Sequence, residues 1–242
     1  MALGVAVQEG IVRALVDSEI TRNFHELYYG SNTLTWLNTR WMGIPLAKCP
    51  LDLWQYQEII FEAQPDVIIE TGTWCGGSAL FLRDILKIVG KDNGTVITID
   101  SAPMGTFKDE YGILQFIGDS ASKIVLDAVL PFIVESDKVM VILDSDHSKK
   151  HVLDELNMWA PYVSSGQYLI VEDTNVNGNP TNKEHGPGPM EALQEWLPQH
   201  PEFVCDEHRE RFMMTFNPMG YLKRIGRSRE GMEDEIRARA KN

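Results

Sequence analysis

The hydrophobic pattern changes rhythm near residue 65. Ahead of it, Ala47 to Gln64 places Leu53, Trp54, Ile59, Ile60 and Phe61 at helical spacing, and Pro65 ends the pattern. Beyond it come short, continuous apolar runs. Asp66 to Glu70 (DVIIE) reads as a strand, Thr71 to Ser78 (TGTWCGGS) as a glycine-rich turn, and the stretch to about Val89 as a helix. The unit then recurs. Thr95 to Asp100 is a second strand; Ile113 to Ile117 is a third, closing on Gly118, Asp119 and Ser120 ahead of a helix over Ser122 to Val129. Lys138 to Leu143 closes on Asp144-Ser145-Asp146-His147, a helix covers His151 to Trp159, and Gln167 to Val171 closes on Glu172-Asp173. Apolar runs without alternation are what strands buried on both faces show, so the pattern predicts one doubly wound α/β domain built on a mostly parallel sheet.

The edges of that domain read less regularly. A helix over Met190 to Leu197 and the late run Arg211 to Phe216 predict one or two further strands. Asn175 to Pro189 (NVNGNPTNKEHGPGP) is too polar for a core and long for an ordinary connection, which makes it a candidate lid at the carboxyl end of a strand. The domain is expected over residues 46–222, after a helical or irregular extension (1–45) and before a charged tail (223–242).

Composition narrows the function class. The chain has 242 residues, 43% hydrophobic and 24% charged, as a folded globular protein has. Twenty-two Lys and Arg against 35 Asp and Glu give a net charge of −13, which argues against a general nucleic-acid binder. No apolar run approaches the roughly 18 residues of a membrane span, and the first residues lack a signal-peptide pattern, so a cytoplasmic protein is expected. Cys49, Cys75 and Cys205 have no CxxC spacing and are expected as free thiols.

In an open α/β sheet the ligand lies beyond the carboxyl ends of the strands. Those ends carry six carboxylates: Glu70, Asp100, Asp119, Asp144, Glu172 and Asp173. The turn after Glu70 matches neither GxxxxGK[ST] nor GxGxxG, and a carboxylate ahead of it suits a cationic amine better than a pyrophosphate. With Asp100 facing a ribose and Asp119 an adenine amino group, the pattern points to S-adenosylmethionine. Asp144, Glu172 and Asp173 form a hard-oxygen set suited to Mg2+, with Asp146 competing with Asp144 for the role. His147, three residues after Asp144, is a candidate general base with an ordinary pKa near ~6.5. His151 has no intervening glutamate of the HExxH kind and is read as an ordinary helix residue.

The segment from Trp36 through Trp54 to the Glu70 turn, then Leu143 to His147 and Ile170 to Asp173, resembles the cephalosporin hydroxylase / rhamnosyl O-methyltransferase family over roughly residues 35–218. The resemblance implies a class I, Rossmann-like methyltransferase with a seven-stranded sheet, and Mg2+-dependent O-methylation of a sugar diol or glycosylated natural product. It assigns Asp144, Glu172 and Asp173 to the metal and His147 to the proton. Glu70, Gly72, Thr73, Gly76, Ser78, Asp100, Gly118, Asp119, Ser120 and Asp144 fall to the cofactor. It also implies a homo-oligomer. Two other readings remain at this stage, a hydroxylase on the same fold and a catalytically silent cofactor-binding subunit. Phe24, Tyr28, Tyr29, Trp36 and Trp41 are read as covering the acceptor site or packing on a neighbour or on their own sheet.

Overall fold

The computed structural model describes residues 18–30, 35–102 and 111–226. Helix α1 (Glu19–Gly30) and a short hairpin, β1 (Arg40–Trp41) and β2 (Ile44–Pro45), precede helix α2 (Pro50–Ala63). The domain continues with β3 (Val67–Thr71), α3 (Gly77–Ile88), β4 (Thr95–Asp100), β5 (Ile113–Ile117), α4 (Lys123–Val129), β6 (Val139–Leu143) and α5 (Lys149–Trp159). It closes with β7 (Tyr168–Val171), α6 (Pro189–Trp196), β8 (Phe203–Cys205) and β9 (Tyr221–Arg224).

Seven of these strands form one sheet in the order β5-β4-β3-β6-β7-β9-β8. The first five are parallel; β9 runs antiparallel to β7, and β8 antiparallel to β9. This is the expected doubly wound, mostly parallel seven-stranded sheet. Successive residues of β3 serve opposite layers, as the two-residue period of a strand requires. Val67 and Ile69 pack with Leu156 and Trp159 of α5, whereas Ile68 packs with Tyr56, Ile59 and Ile60 of α2 and with α3. Ile68 and Ile69 are wholly buried, each stabilising the fold by about 1.5–3 kcal/mol relative to exposure.

Three expectations need correcting. Arg211 to Phe216 is not a strand: Met213 has φ +70°, which breaks the extended path, and Met214 and Phe216 instead bury against Cys49 beside α1. The closing strands lie on either side of that run. β9 also extends through Arg224, beyond the boundary read from the charge pattern at 222. The Arg224 guanidinium is buried and donates to the carbonyls of Ala160, Pro161 and Val163. Finally, Asn175 to Pro189, the candidate lid, lines no part of the main cleft and is held by its own hydrogen bonds. Asn177 N–H donates to the Asn182 carbonyl and Gly178 N–H to Thr181, and the segment leans on α1 through Asn175 and His25, whose side-chain nitrogens lie 3.0 Å apart.

Candidate active site

The carboxyl ends of β3 and β6 lie side by side where the chain reverses its direction of travel across the sheet, the position at which such folds open a crevice. The crevice here is a cleft of about 760 Å3. Its floor is set by the glycine turn. Gly72 has φ +88°, and a Cβ there would lie 1.8 Å from the carbonyl oxygen of Asp144, so only glycine lets the two strand ends approach this closely. Gly76, at φ +84°, turns the chain into α3. Trp74 between them is also left-handed, and its N–H donates to Asp100 Oδ2 at 2.9 Å.

Of the cofactor candidates, Gly72, Ser78, Asp100, Gly118, Asp119, Ser120 and Asp144 line the cleft. Glu70, Thr73 and Gly76 do not. Glu70 is wholly buried; its Oε2 accepts from Thr98 at 2.8 Å while Oε1 has no hydrogen-bond partner among the described residues. Burial raises its pKa to about 7, against the pull of Lys48. Thr73 Oγ1 pairs with Thr98 Oγ1. Ser120 belongs to a separate network: it and Ser145 both donate to the buried Glu155, with His151 Nε2 3.1 Å from each hydroxyl.

Within the same cleft, ligand atoms of Asp144, His147 and Asp173 all lie within 4.8 Å of one another. Asp144 follows β6, its N–H bonded to the Thr71 carbonyl. Asp173 follows β7 at φ +53°, its N–H held by Asn217 Oδ1 at 3.1 Å, a strained backbone of the kind found at functional sites. His147 Nε2 is 3.1 Å from Asp173 Oδ2 and 3.9 Å from Asp144 Oδ1. Burial works against the imidazolium, but Asp173 and Asp144 outweigh it and raise the His147 pKa. A divalent cation on the same carboxylates would reverse that balance. Asp146 stands apart: it is exposed, and its Oδ1 accepts from the Ser148 N–H at 2.7 Å.

Glu172 faces the other way from Asp173. Its Oε1 accepts from Tyr56 Oη at 2.7 Å and from Lys48 Nζ at 2.5 Å, and the same ammonium is paired with Asp144 Oδ2. Burial and Asp144 together push the Glu172 pKa up to about 7, against Lys48. Nothing in the sequence distinguishes Lys48 from a surface lysine. Of the N-terminal aromatics, Tyr29 and Trp36 line the cleft, stacked with ring centroids 5.1 Å apart. Burial, then Asp173 and Asp144, hold the Tyr29 pKa above its ordinary value. Tyr28 packs on Phe216, and Trp41 on Phe81. The 175–189 segment contributes no wall to the main cleft; its residues Pro180 to Glu184 border a neighbouring cavity that shares Tyr29 and Trp36.

The residues fit a cation and an adenosyl cofactor. Asp144 and Asp173 offer hard carboxylate oxygens, as Mg2+ or Mn2+ accepts, with His147 beside them, and Asp144 and the adjoining Glu172 already hold one positive charge in Lys48. The glycine floor leaves room for a ligand at the backbone, and Asp100 and Asp119 line the same cleft. No described helix is long and apolar enough to cross a membrane.

Comparison with known proteins agrees. A family model described as Rhamnosyl O-methyltransferase/CmcI matches residues 33–225. The rhamnosyl O-methyltransferase of Mycobacterium tuberculosis (strain ATCC 25618 / H37Rv) is 36% identical over 211 residues, 85% of each chain. That of Mycobacterium leprae (strain TN) is 35% identical over 219 residues, 89% of this chain and 94% of its own. The solved structure cmcI-D160 Mg-SAM shares the fold, with a TM-score of 0.61 at 19% identity over 78% of each chain.

Proposed function

The chain belongs to the Rhamnosyl O-methyltransferase/CmcI family and is an S-adenosylmethionine-dependent O-methyltransferase; from that premise we propose that it methylates a hydroxyl of a sugar diol or glycosylated small molecule with the help of Mg2+. The observation that carries the reading is the cluster of Asp144, His147 and Asp173 in the lining of the cleft whose floor is Gly72.

Bound there, S-adenosylmethionine supplies an electrophilic methyl group, and a divalent cation supplies charge that lowers the acceptor hydroxyl pKa. The chain's own residues do the rest. Asp144 and Asp173 are the innermost cation ligands in this reading, with Glu172 completing the acidic set behind them. His147 takes the acceptor proton, its ring placed at the cluster by Nε2 lying 3.1 Å from Asp173 Oδ2. Asp100, already gripped by the Trp74 and Ala102 N–H groups, presents a fixed carboxylate to the ribose hydroxyls. Gly118, Asp119 and Ser120 border the adenine end. Tyr29 and Trp36 give the acceptor a flat apolar wall, which suits the C–H face of a sugar ring and keeps water from the reacting atoms. Positioning of two reactants in one cleft accounts for most of the acceleration.

Calorimetry tests the cofactor reading: S-adenosylmethionine is expected to bind and NADH is not. Binding of NADH in its place would return the hydroxylase reading.

A further inference from the structure

Lys48 is the least expected group in the site. Its side chain is only 3% exposed, and its ammonium reaches two carboxylates from two different strands, Asp144 after β6 and Glu172 after β7. A buried charge of this kind persists only where it is fully paired. The chain also goes to some trouble to deliver it. Ala47, the residue before, sits at φ +52°, a left-handed turn that a side-chain-bearing residue adopts at a cost of about 1–3 kcal/mol unless its surroundings impose it. The Lys48 N–H donates to Thr39 Oγ1 at 3.1 Å, and that hydroxyl is itself fixed by donating to the Trp36 carbonyl at 2.7 Å, with the Lys48 carbonyl oxygen 3.2 Å away. Immediately after it, Cys49 is buried and Pro50 opens α2.

The surplus of acid gives this arrangement a meaning. Asp144, Glu172 and Asp173 bring three carboxylates together, and Lys48 is the one lysine paired with them. The pairing is also divided: Lys48 holds Asp144 and Glu172, whereas Asp173 faces His147.

We infer that Lys48 is a resident cation of the metal site: it keeps Asp144 and Glu172 paired before the metal arrives, and by competing for Asp144 it sets how tightly a divalent cation binds. The inference rests on the reading that this cluster takes such a cation. Two consequences follow from like-charge repulsion. Without the ammonium the cluster gains a full negative charge, so a divalent cation binds more tightly. Without the ammonium the fold also loses its internal partner for two carboxylates, so stability comes to depend on added metal.

The test is Lys48→Met, which keeps length and apolar stem and removes the charge. Mn2+ binding followed by electron paramagnetic resonance is expected to be about tenfold tighter or more in the variant, the factor that ~1.4 kcal/mol of lost repulsion gives. The variant is also expected to melt well below the wild type in EDTA and to recover most of the difference in Mg2+. Equal or weaker Mn2+ binding by folded Lys48→Met, with wild type binding Mn2+ normally, overturns the inference and leaves the metal reading intact. No Mn2+ binding by wild type overturns both. A measurement on the wild type decides the matter if the variant does not fold. With 15N-labelled lysine, the Lys48 ammonium should give a protected resonance in EDTA that shifts on adding Mg2+; an unchanged resonance at saturating Mg2+ overturns the inference.

Discussion

Gly72 and Asp144 meet backbone to backbone: a Cβ on Gly72 would fall 1.8 Å from the Asp144 carbonyl oxygen. Through this approach the turn after β3 and the end of β6 share one floor, so a group on the glycine side of the cleft and a group on the acidic side come within reach of each other. The contact also separates two effects that usually travel together. Gly90 has nearly the same φ, +84°, with open space around it. Gly90→Ala is expected to cost about 1–2 kcal/mol for the left-handed backbone alone. Gly72→Ala must add a clash with main chain, so its loss in chemical unfolding should exceed that of Gly90→Ala by at least about 1 kcal/mol. Equal losses would mean the two strand ends are free to part.

His147→Ala isolates the proton-transfer role. It should lower kcat by about 10²–10⁴-fold, the usual contribution of a positioned base. Affinity for S-adenosylmethionine, measured by calorimetry, should stay unchanged because the cofactor side of the cleft is built from other residues. A variant with near-normal kcat would remove His147 from the chemistry.

Trp36 and Tyr29 form the acceptor wall. Trp36→Leu is expected to raise the acceptor KM by up to about tenfold, since an aromatic contact contributes roughly 0.5–1.5 kcal/mol, with cofactor affinity unaltered. Some loss of melting temperature should accompany it, because Trp36 also packs edge-on against Phe216. A variant that weakened cofactor and left acceptor KM unchanged would assign the stacked pair to the wrong ligand.

Much of this was legible in the sequence, and the exceptions share a cause. β3, β4, β6 and β7 are readable because strands buried on both faces are uninterrupted apolar runs, and each run ends on or beside a carboxylate. β9 is not, since it contains Lys223 and Arg224, whose charges read as solvent-facing tail although Arg224 is buried under carbonyls. Glu172 and Asp173 look equivalent as letters. The backbone turns between them, so that Glu172 faces Lys48 and Tyr56 while Asp173 faces His147. Lys48 was illegible altogether, because what aims it inward is the left-handed Ala47 and the grip of Thr39, neither of which leaves a residue pattern.

The N-terminal helix has its own pH dependence. His25 is buried, stacked on Phe216 at 5.7 Å, and burial lowers its pKa to about 4. Between about pH 6.5 and 4 the unfolded chain therefore binds a proton that the folded chain refuses, and stability falls as pH falls through that window. At full titration the loss is of order 3 kcal/mol. Urea unfolding between pH 7 and 4 should show this slope in the wild type and a shallower one in His25→Phe, which retains a ring against Phe216. Parallel slopes would mean that His25 titrates normally and that α1 is not docked as described.

The central claim, that the acidic cluster serves methyl transfer through a divalent cation, is tested most directly by the transfer of labelled methyl from S-adenosylmethionine to a rhamnoside acceptor. The rate is measured in EDTA and on returning Mg2+, for the wild type and Asp173→Asn. The account predicts that EDTA abolishes wild-type transfer, that Mg2+ restores it, and that Asp173→Asn needs far more Mg2+ for the same rate. Full wild-type transfer in EDTA would contradict it.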